Sequence, residues 1–228
     1  MNRRTKLLLA AAPGCGLAAY ALAVRPWMLR WGASDFELKM TWPGDELTPH
    51  SSGGCTRAIT IQAPSEQIWP WIMQIGQDRA GFYSYTWLEN LFRAEMRNTY
   101  RLVPAWQNRS VGEEFWMAAK HRYGGQARMV VARLEPARTL VLVTPQDARS
   151  AIERGYAPNG NWSFNLRPAG AGATRLIMRS VDAESGPYMG RIGGFAFFEP
   201  AHFIMERKMM LRIKALAEGR LAGLKIED

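Results

Sequence analysis

The feature that most constrains the fold is a long helical pattern at the C-terminal end of the chain. It begins at residue 199 with EPAHFIMERKMMLRIKALAEGRLAG and carries Pro200 in its first turn. Proline is tolerated in the first turn of a helix, so the stretch predicts one long helix that runs to about residue 219. Whatever precedes this helix has to supply the surface on which its apolar side is buried.

Strand patterns precede that helix. Apolar alternation and turn signals such as Glu135-Pro136 and Gly124-Gly125 mark them. They are CTRAITIQA (55–63), EEFWMAA (113–119), QARMVVARLE (126–135), TLVLVTP (139–145), NWSFNLRP (161–168) and TRLIMRSVD (174–182). The last two are joined by AGAGA and predict a hairpin.

Two shorter helical patterns, APSEQIWPWIMQIG and SYTWLENLF, follow the first strand pattern. The order is therefore strand, two short helices, five strands and a long helix. This order predicts an α+β fold in which a curved antiparallel sheet wraps around the C-terminal helix. Trp69, Trp116 and Trp162 lie in runs with strong apolar periodicity, so we expect them in the core.

The N-terminal segment differs in composition from the rest. Residues 7–24 carry no charge and lie between Arg3, Arg4 and Lys6 on one side and Arg25 on the other. This length is near the minimum for a bilayer span, so the segment predicts a retained single-pass anchor, with a cleaved signal peptide or a lipoprotein signal as alternatives. The basic residues ahead of the run predict the bacterial cytoplasmic membrane as the location, with the domain on the periplasmic or extracellular side.

We divide the chain into three parts on this basis. Residues 1–31 are predicted to be a membrane anchor or signal segment, 32–54 a linker, and 55–228 the folded domain. The linker assignment rests on the glycine, proline, serine and acidic residues of GDELTPHSSGG.

Charge and cysteine usage exclude several function classes. The net charge is +9, but its basic residues are scattered along the chain, whereas nucleic-acid-binding proteins usually cluster them on one face or arm, so we expect no nucleic-acid partner. The two cysteines, Cys15 and Cys55, and three well-separated histidines form no recognisable ligand motif. We therefore predict no metal and no cofactor.

Three stretches resemble the START and birch-pollen-allergen helix-grip superfamily, in its polyketide cyclase/dehydrase-like SRPBCC branch. They are IQAPSEQIWPWIMQIG (61–76), GFYSYTWLENL (81–91) and EPAHFIMERKMML (199–211). The resemblance covers about residues 55–220. Within the branch, the chain is similar to an uncharacterised bacterial subgroup. It implies a helix-grip fold with a pocket for a hydrophobic ligand and, in some branches, cyclase or aromatase activity.

In the helix-grip fold that the resemblance implies, the ring-rich stretch GFYSYTWLENLF falls where short helices flank the pocket mouth. The stretch and the C-terminal helix supply the predicted ligand-binding residues, although core packing remains an alternative for each ring. These residues are Tyr83, Tyr85, Trp87, Glu89, Phe198, Met205 and Met209. Phe198, Met205 and Met209, together with His202, would line the pocket, and the aromatic residues from 83–87 would close it.

Three polar residues of the C-terminal helix are the predicted catalytic group. His202 falls within the apolar stripe of the helix, and Glu199 and Glu206 flank it at spacings of three and four residues. A carboxylate beside an imidazole can orient it for general acid/base work. The alternative is a core histidine, with both glutamates paired to arginines from the sheet.

These observations predict membrane-tethered binding of a small hydrophobic ligand, lipid-like or aromatic, in an internal pocket. One alternative is a cyclase-, dehydratase- or hydrolase-type enzyme that uses His202 with Glu199 or Glu206. Another is a structural subunit of a membrane complex.

Overall fold

One antiparallel sheet of six strands organises the molecule. The computed structural model describes residues 19–48, 53–145, 160–182 and 199–221. Within them the sheet order is β1-β6-β5-β4-β3-β2, so β1 and β2 form its edges. The strands are β1 Gly53–Ile61, β2 Glu114–Trp116, β3 Arg128–Glu135, β4 Thr139–Val143, β5 Asn161–Pro168 and β6 Thr174–Asp182.

Helices occur at both ends of the chain and between the first two strands. They are α1 Arg25–Leu29, α2 Asp35–Lys39, α3 Ser65–Met73, α4 Thr86–Leu91 and α5 Glu199–Ala217, with a π-helical turn at Tyr20–Val24. The predicted α+β fold, with two short helices after the first strand and a long one at the end, is confirmed. Gly219 has a φ of +69°, the left-handed conformation in which glycine commonly ends a helix.

Strand pairing follows the predicted patterns closely. β5 and β6 form the expected hairpin, with Asn161 opposite Val181 and Pro168 opposite Thr174. The exception is β2, which is shorter than the pattern at 113–119 because the chain turns away after Trp116. The backbone N–H of Ala119 donates instead to the carbonyl of Ala94, outside the sheet.

The main core lies between the sheet and α5. Inward-facing residues of the strands alternate with outward-facing ones, so Ile59 and Ile61 of β1 face the helix with Phe164 and Leu166 of β5. From α5, the buried contributors to the same core are Met209, Met210 and Ile213. This contact places one face of α5 directly against the concave side of the sheet.

The outer face of the sheet is covered by residues 33–48, most of the stretch predicted to be a linker. Trp42 is buried there against Ala58 and Ile177. Two ion pairs fasten the same stretch to β6, between Glu37 and Arg175 at 2.7 Å and between Asp45 and Arg179 at 2.6 Å. These residues are packed and hydrogen-bonded, and the division of the chain at residues 31 and 54 stays a prediction.

The N-terminal segment also covers the open edge of β1. The backbone N–H of Ala58 donates to the carbonyl of Trp31 over 3.0 Å. Gly32 makes this approach possible: its φ is +72°, and a Cβ at this position would lie 2.1 Å from the carbonyl oxygen of Ala58. An edge strand that would otherwise be exposed is therefore partly capped by the chain's own N-terminal segment.

The predicted location in the bacterial cytoplasmic membrane is wrong. Residues 7–18, most of the charge-free run, lie outside the described residues. Within the described ranges, no helix is long and apolar enough to cross a bilayer. The end of the run leads into α1, where Met28 is buried and Arg25 pairs with Glu199, so this part of the segment packs on the domain.

Candidate functional site beneath the C-terminal helix

One face of α5 carries both apolar and polar side chains toward the sheet. His202, Glu206, Met209 and Ile213 recur at spacings of four, three and four residues, which places them along a single stripe. Glu206, Met209 and Ile213 are buried, and His202 is half-buried. A carboxylate thus lies inside a largely apolar helix–sheet interface.

Arg57 of β1 is the partner of that carboxylate. Its Nη1 donates to Oε2 of Glu206, and both side chains are only 1% exposed. Its Nε donates to the backbone carbonyl of Met28 over 2.8 Å. The guanidinium is therefore fixed from two sides, by α5 and by α1.

Trp162 of β5 satisfies the other carboxylate oxygen. Its indole Nε1 donates to Oε1 of Glu206 over 3.0 Å. The same indole contacts Phe164, Phe82 and Phe115, with ring centroids 4.7, 6.0 and 6.2 Å away. We call these four residues the aromatic wall, and the tryptophan joins it directly to the buried charges.

The electrostatics of the pair keep both groups charged. Burial opposes ionisation of Glu206, but the charges of Arg57 and His202 outweigh this effect and hold the carboxyl pKa below its ordinary value. Burial likewise works against the charged form of Arg57, yet the charge of Glu206 raises the guanidinium pKa overall. Both groups are therefore charged in the folded protein at neutral pH.

Cys55 and His202 complete the arrangement. Cys55 lies two residues before Arg57 on the same face of β1, and its Sγ, a ring nitrogen of His202 and a carboxylate oxygen of Glu206 all lie within 4.8 Å of one another. We refer to Cys55, Arg57, Trp162, His202 and Glu206 as the polar cluster. Thiol, imidazole and carboxylate are groups that serve in acid/base chemistry and in metal ligation.

Of the predicted catalytic residues, the structure brings two together and separates the third. His202 lies with Glu206 in the polar cluster. Glu199 instead accepts two hydrogen bonds from Arg25, at 2.7 and 2.8 Å, and both side chains are partly exposed. Phe198, predicted to line the pocket, lies outside the described residues.

Two of the predicted ligand-binding residues belong to the solid core. Tyr83 is fully buried, and its hydroxyl donates to the backbone carbonyl of Trp71 over 3.1 Å. Burial raises the pKa of this phenol well above its ordinary value. Met209 is also in the core cluster.

The remaining predicted ligand-binding residues lie nearer the surface, apart from Glu89, which is buried on α4. Tyr85 is half-buried, and Nζ of Lys208 on α5 lies 5.0 Å from its ring centroid. Trp87 is 67% exposed and contacts the Tyr85 ring at 6.4 Å. Met205 is half-buried on the same side of α5 as Lys208.

An open depression of about 450 Å³ lies elsewhere, at the β2 edge. Lys120 and Arg128 both lie over the Trp116 ring, and both pair with Glu114. One carboxylate therefore pairs with two cations at the surface, and this exposure distinguishes the depression from the buried polar cluster.

Sequence reasoning missed Cys55, Arg57 and Trp162 as members of one site. The alternation of β1 contained a usable signal, since Cys55 and Arg57 share the inward face with Ile59 and Ile61. An arginine on that face requires a buried acid, and Glu206 lies in the apolar stripe of the last helix.

No family model and no curated protein sequence matches the chain. Solved structures with a similar arrangement include a polyketide-cyclase-like protein from Corynebacterium glutamicum, at 15% identity, with 77% of this chain and 97% of that chain covered and a TM-score of 0.38. The Aha1 dimer from Colwellia psychrerythraea aligns at 14% identity over 73% and 96%, with a TM-score of 0.39. This chain has the helix-grip fold.

A third similar structure is the di-domain ARO/CYC protein StfQ of the steffimycin biosynthetic pathway, at 14% identity and a TM-score of 0.43. The alignment covers 78% of this chain and 54% of that one. The predicted helix-grip fold is confirmed, and these structures resemble this chain in fold. At such identities the likeness is one of fold alone.

Proposed function

We propose that this chain binds a small lipid-like or aromatic ligand between the sheet and α5, with the polar cluster orienting the polar group of that ligand. The observation that carries the proposal is the junction of the polar cluster with the aromatic wall at Trp162. Sites for small organic ligands combine a mainly apolar and aromatic lining with a few convergent polar groups.

The energetics of the buried pair support a role other than stability. Two charges removed from water lose several kcal/mol of hydration each, and a well-packed apolar pair of similar size is often as stabilising or more so. Arg57 and Glu206 nevertheless sit in the interior with hydrogen bonds from Trp162 and to Met28. Such a cluster is well suited to hold a ligand's polar group in one orientation.

The entrance that we propose lies along the side of α5 that carries Met205 and Lys208. Tyr85 packs against Lys208 there, and Trp87 extends the ring surface toward solvent. His202 is the half-buried member of the polar cluster, three residues before Met205 on the helix. This position links the entrance to the cluster.

The test measures binding of anilinonaphthalene sulfonate, an aromatic probe with an anionic group, by fluorescence. Met205→Trp should weaken its binding at least about tenfold, which corresponds to about 1.4 kcal/mol, because the larger ring blocks the entrance. The matched control is Ile204→Trp on the neighbouring exposed position, which should bind like the wild type. Far-UV circular dichroism and thermal unfolding verify that both variants are folded.

Equal binding by wild type and folded Met205→Trp would contradict the proposed entrance. Loss of binding in both variants would indicate a nonspecific surface effect and would equally count against it. Native mass spectrometry of the purified wild type supplies a second readout, since a retained small apolar molecule is expected and should be reduced in Met205→Trp.

A second candidate function is supported by the closeness of His202 to Glu206. In that case the chain is a cyclase-, dehydratase- or hydrolase-type enzyme in which Glu206 orients the imidazole and His202 transfers the proton. The two functions differ in the fate of the co-purifying molecule. Unchanged recovery after prolonged incubation supports binding alone, whereas conversion that His202→Gln abolishes without loss of binding supports the enzyme.

A further inference from the structure

Cys55, His202 and Glu206 bring three different donor atoms to one point of the interior. His202 and Glu206 are four residues apart on one face of α5, and Cys55 faces them from β1. Two rigid elements that are packed on one another therefore hold the donors. From this juxtaposition we infer a binding site for Zn²⁺, with these three residues as the protein ligands.

The donor set selects the class of metal. Thiolate sulfur with imidazole nitrogen and one carboxylate oxygen matches borderline-soft Zn²⁺, whereas Mg²⁺ and Ca²⁺ take oxygen ligands almost exclusively. Zinc binds these donors at about 2.0–2.3 Å, so donors now within 4.8 Å of one another need to approach by only about 1 Å. Three protein ligands leave a fourth position of a tetrahedral site open.

Glu206 accepts hydrogen bonds from neighbouring side chains, as carboxylates that bind metals usually do. Arg57 donates to Oε2 and Trp162 to Oε1, and Arg57 is itself fixed by the carbonyl of Met28. Each carboxylate oxygen can accept more than one interaction, so these hydrogen bonds orient the group without using up its capacity. The carboxylate is therefore held in position before the metal arrives.

The charges of the site indicate that the fourth ligand of the zinc ion is an anion. Zn²⁺ with a thiolate, a carboxylate and the neighbouring guanidinium of Arg57 gives a net charge of +1 in a buried place. An anion at the open position, hydroxide or an anionic group of a small molecule, neutralises that excess. The inference goes beyond the proposed function, since a zinc site can exist whether or not an apolar ligand binds.

The test replaces zinc with Co²⁺ in the full chain after treatment with a chelator. One equivalent should bind and produce a sulfur-to-cobalt charge-transfer band together with the intense visible bands of four-coordinate cobalt. Cys55→Ser should remove the charge-transfer band, and His202→Gln should weaken Zn²⁺ binding at least about tenfold, because even loss of a supporting outer partner costs about that much.

Two matched controls separate this site from other sites on the chain. Cys15→Ser should leave the charge-transfer band unchanged. His121→Gln removes the imidazole of an exposed histidine–carboxylate pair with Glu95, at 3.1 Å, and should leave the affinity unchanged. Thermal unfolding of each metal-free variant checks that the fold is retained.

X-ray absorption at the zinc edge of the wild type keeps the inference testable if a variant fails to fold. One sulfur among the zinc neighbours is expected, with nitrogen and oxygen donors as the rest. Absence of stoichiometric binding, a zinc environment without sulfur, or a charge-transfer band that survives Cys55→Ser would overturn the inference. A chain that binds the aromatic probe but no zinc would retain the proposed function and lose only this site.

Discussion

Arg57 is among the largest fully buried side chains of the described residues, and it carries a charge. Arg57 is tolerated in the interior because the carboxylate of Glu206 compensates its charge. Glu206 is tolerated there because the guanidinium of Arg57 does the same. Removal of one partner leaves the other as an unpaired buried ion, whereas removal of both leaves no unpaired ion, only the Trp162 N–H and the Met28 carbonyl without these partners. The two residues can therefore be tested as a unit.

We predict that Arg57→Met lowers the free energy of unfolding by about 3–5 kcal/mol, because Glu206 then keeps a buried charge without its main counterion. The double variant Arg57→Met, Glu206→Leu should recover part of this loss, since it buries no unpaired charge, although the Trp162 N–H and the Met28 carbonyl each lose a partner. Denaturant unfolding measures both. A single variant within about 1 kcal/mol of the wild type, or a double variant no better than the single, would contradict the assignment of a buried ion pair.

Glu37 allows a second prediction, about how the free energy of unfolding depends on pH. Hydrogen bonds from Arg175 are the main reason that its carboxyl pKa is lowered from 4.5 to about 2. A carboxyl with a lowered pKa in the folded state contributes stability above the unfolded value of 4.5, and this contribution disappears as the pH falls from 4.5 to about 2.

Glu37→Gln should therefore cost about 1–3 kcal/mol at neutral pH, where Arg175 loses an ionised partner. Unfolding measured across the acid range should show the difference from wild type shrinking below pH 4.5. Glu66→Gln, on an exposed position of α3, is the matched control and should change little. A deficit for Glu37→Gln that is independent of pH would mean that packing, not charge, explains it.

The sequence identified the helical half of the polar cluster but not the half on the sheet. His202 and Glu206 could be paired because a helix repeats every 3.6 residues, so positions four apart share a face. Cys55 and Arg57 are more than 140 residues away from them along the chain. Periodicity reports which face of an element is buried, and it contains no information on which distant element lies opposite.

At the scale of elements, strand periodicity was the most reliable signal. β5 occupies the predicted residues 161–168, and β6 the predicted 174–182, because alternation and the glycine-rich turn define both ends. Helix faces were harder to assign. In α3, Trp71 is buried and Trp69 only half-buried, whereas Trp116 and Trp162 are both buried as expected.

The N-terminal elements were missed for a physical reason. Residues 32–48 form a short helix and turns without a repeating apolar pattern, so their sequence was predicted to be a linker. Their place is instead determined by individual long-range contacts, such as Arg175 with Glu37 and Trp42 with Ile177. Contacts of this kind leave no periodic signal in the sequence.

We predict that removal of residues 1–31 destabilises the domain by about 3 kcal/mol or more. The truncation deletes the buried side chain of Met28 and its carbonyl, which accepts a hydrogen bond from Arg57. It also deletes the edge-on ring contacts of Trp27 and Trp31 with Phe203. Removal of residues 1–18 alone leaves these contacts intact and is the matched control. Equal unfolding midpoints for the two truncations would show that residues 19–31 contribute nothing to the stability of the fold.

At the scale of the whole molecule, the fold and the site carry different information. A sheet that grips one helix is an architecture shared with proteins of little sequence similarity to this chain. Inside that grip this chain carries the polar cluster, which is in direct contact with the aromatic wall. The residues of the polar cluster, and not the fold, therefore indicate the function.

The proposed function requires that a small apolar ligand reaches the polar cluster beneath α5. The most direct measurement follows the indole N–H signals in a proton–nitrogen NMR spectrum while anilinonaphthalene sulfonate is added. The Trp162 signal, assigned with Trp162→Phe, should shift in a saturable manner because its N–H donates to Glu206 at the site. The signal of Trp116, which lies at the β2 edge away from the proposed entrance and is assigned in the same way, should shift less. A Trp162 signal that stays fixed at saturation, while exposed tryptophans shift, would contradict the account and favour a solid scaffold.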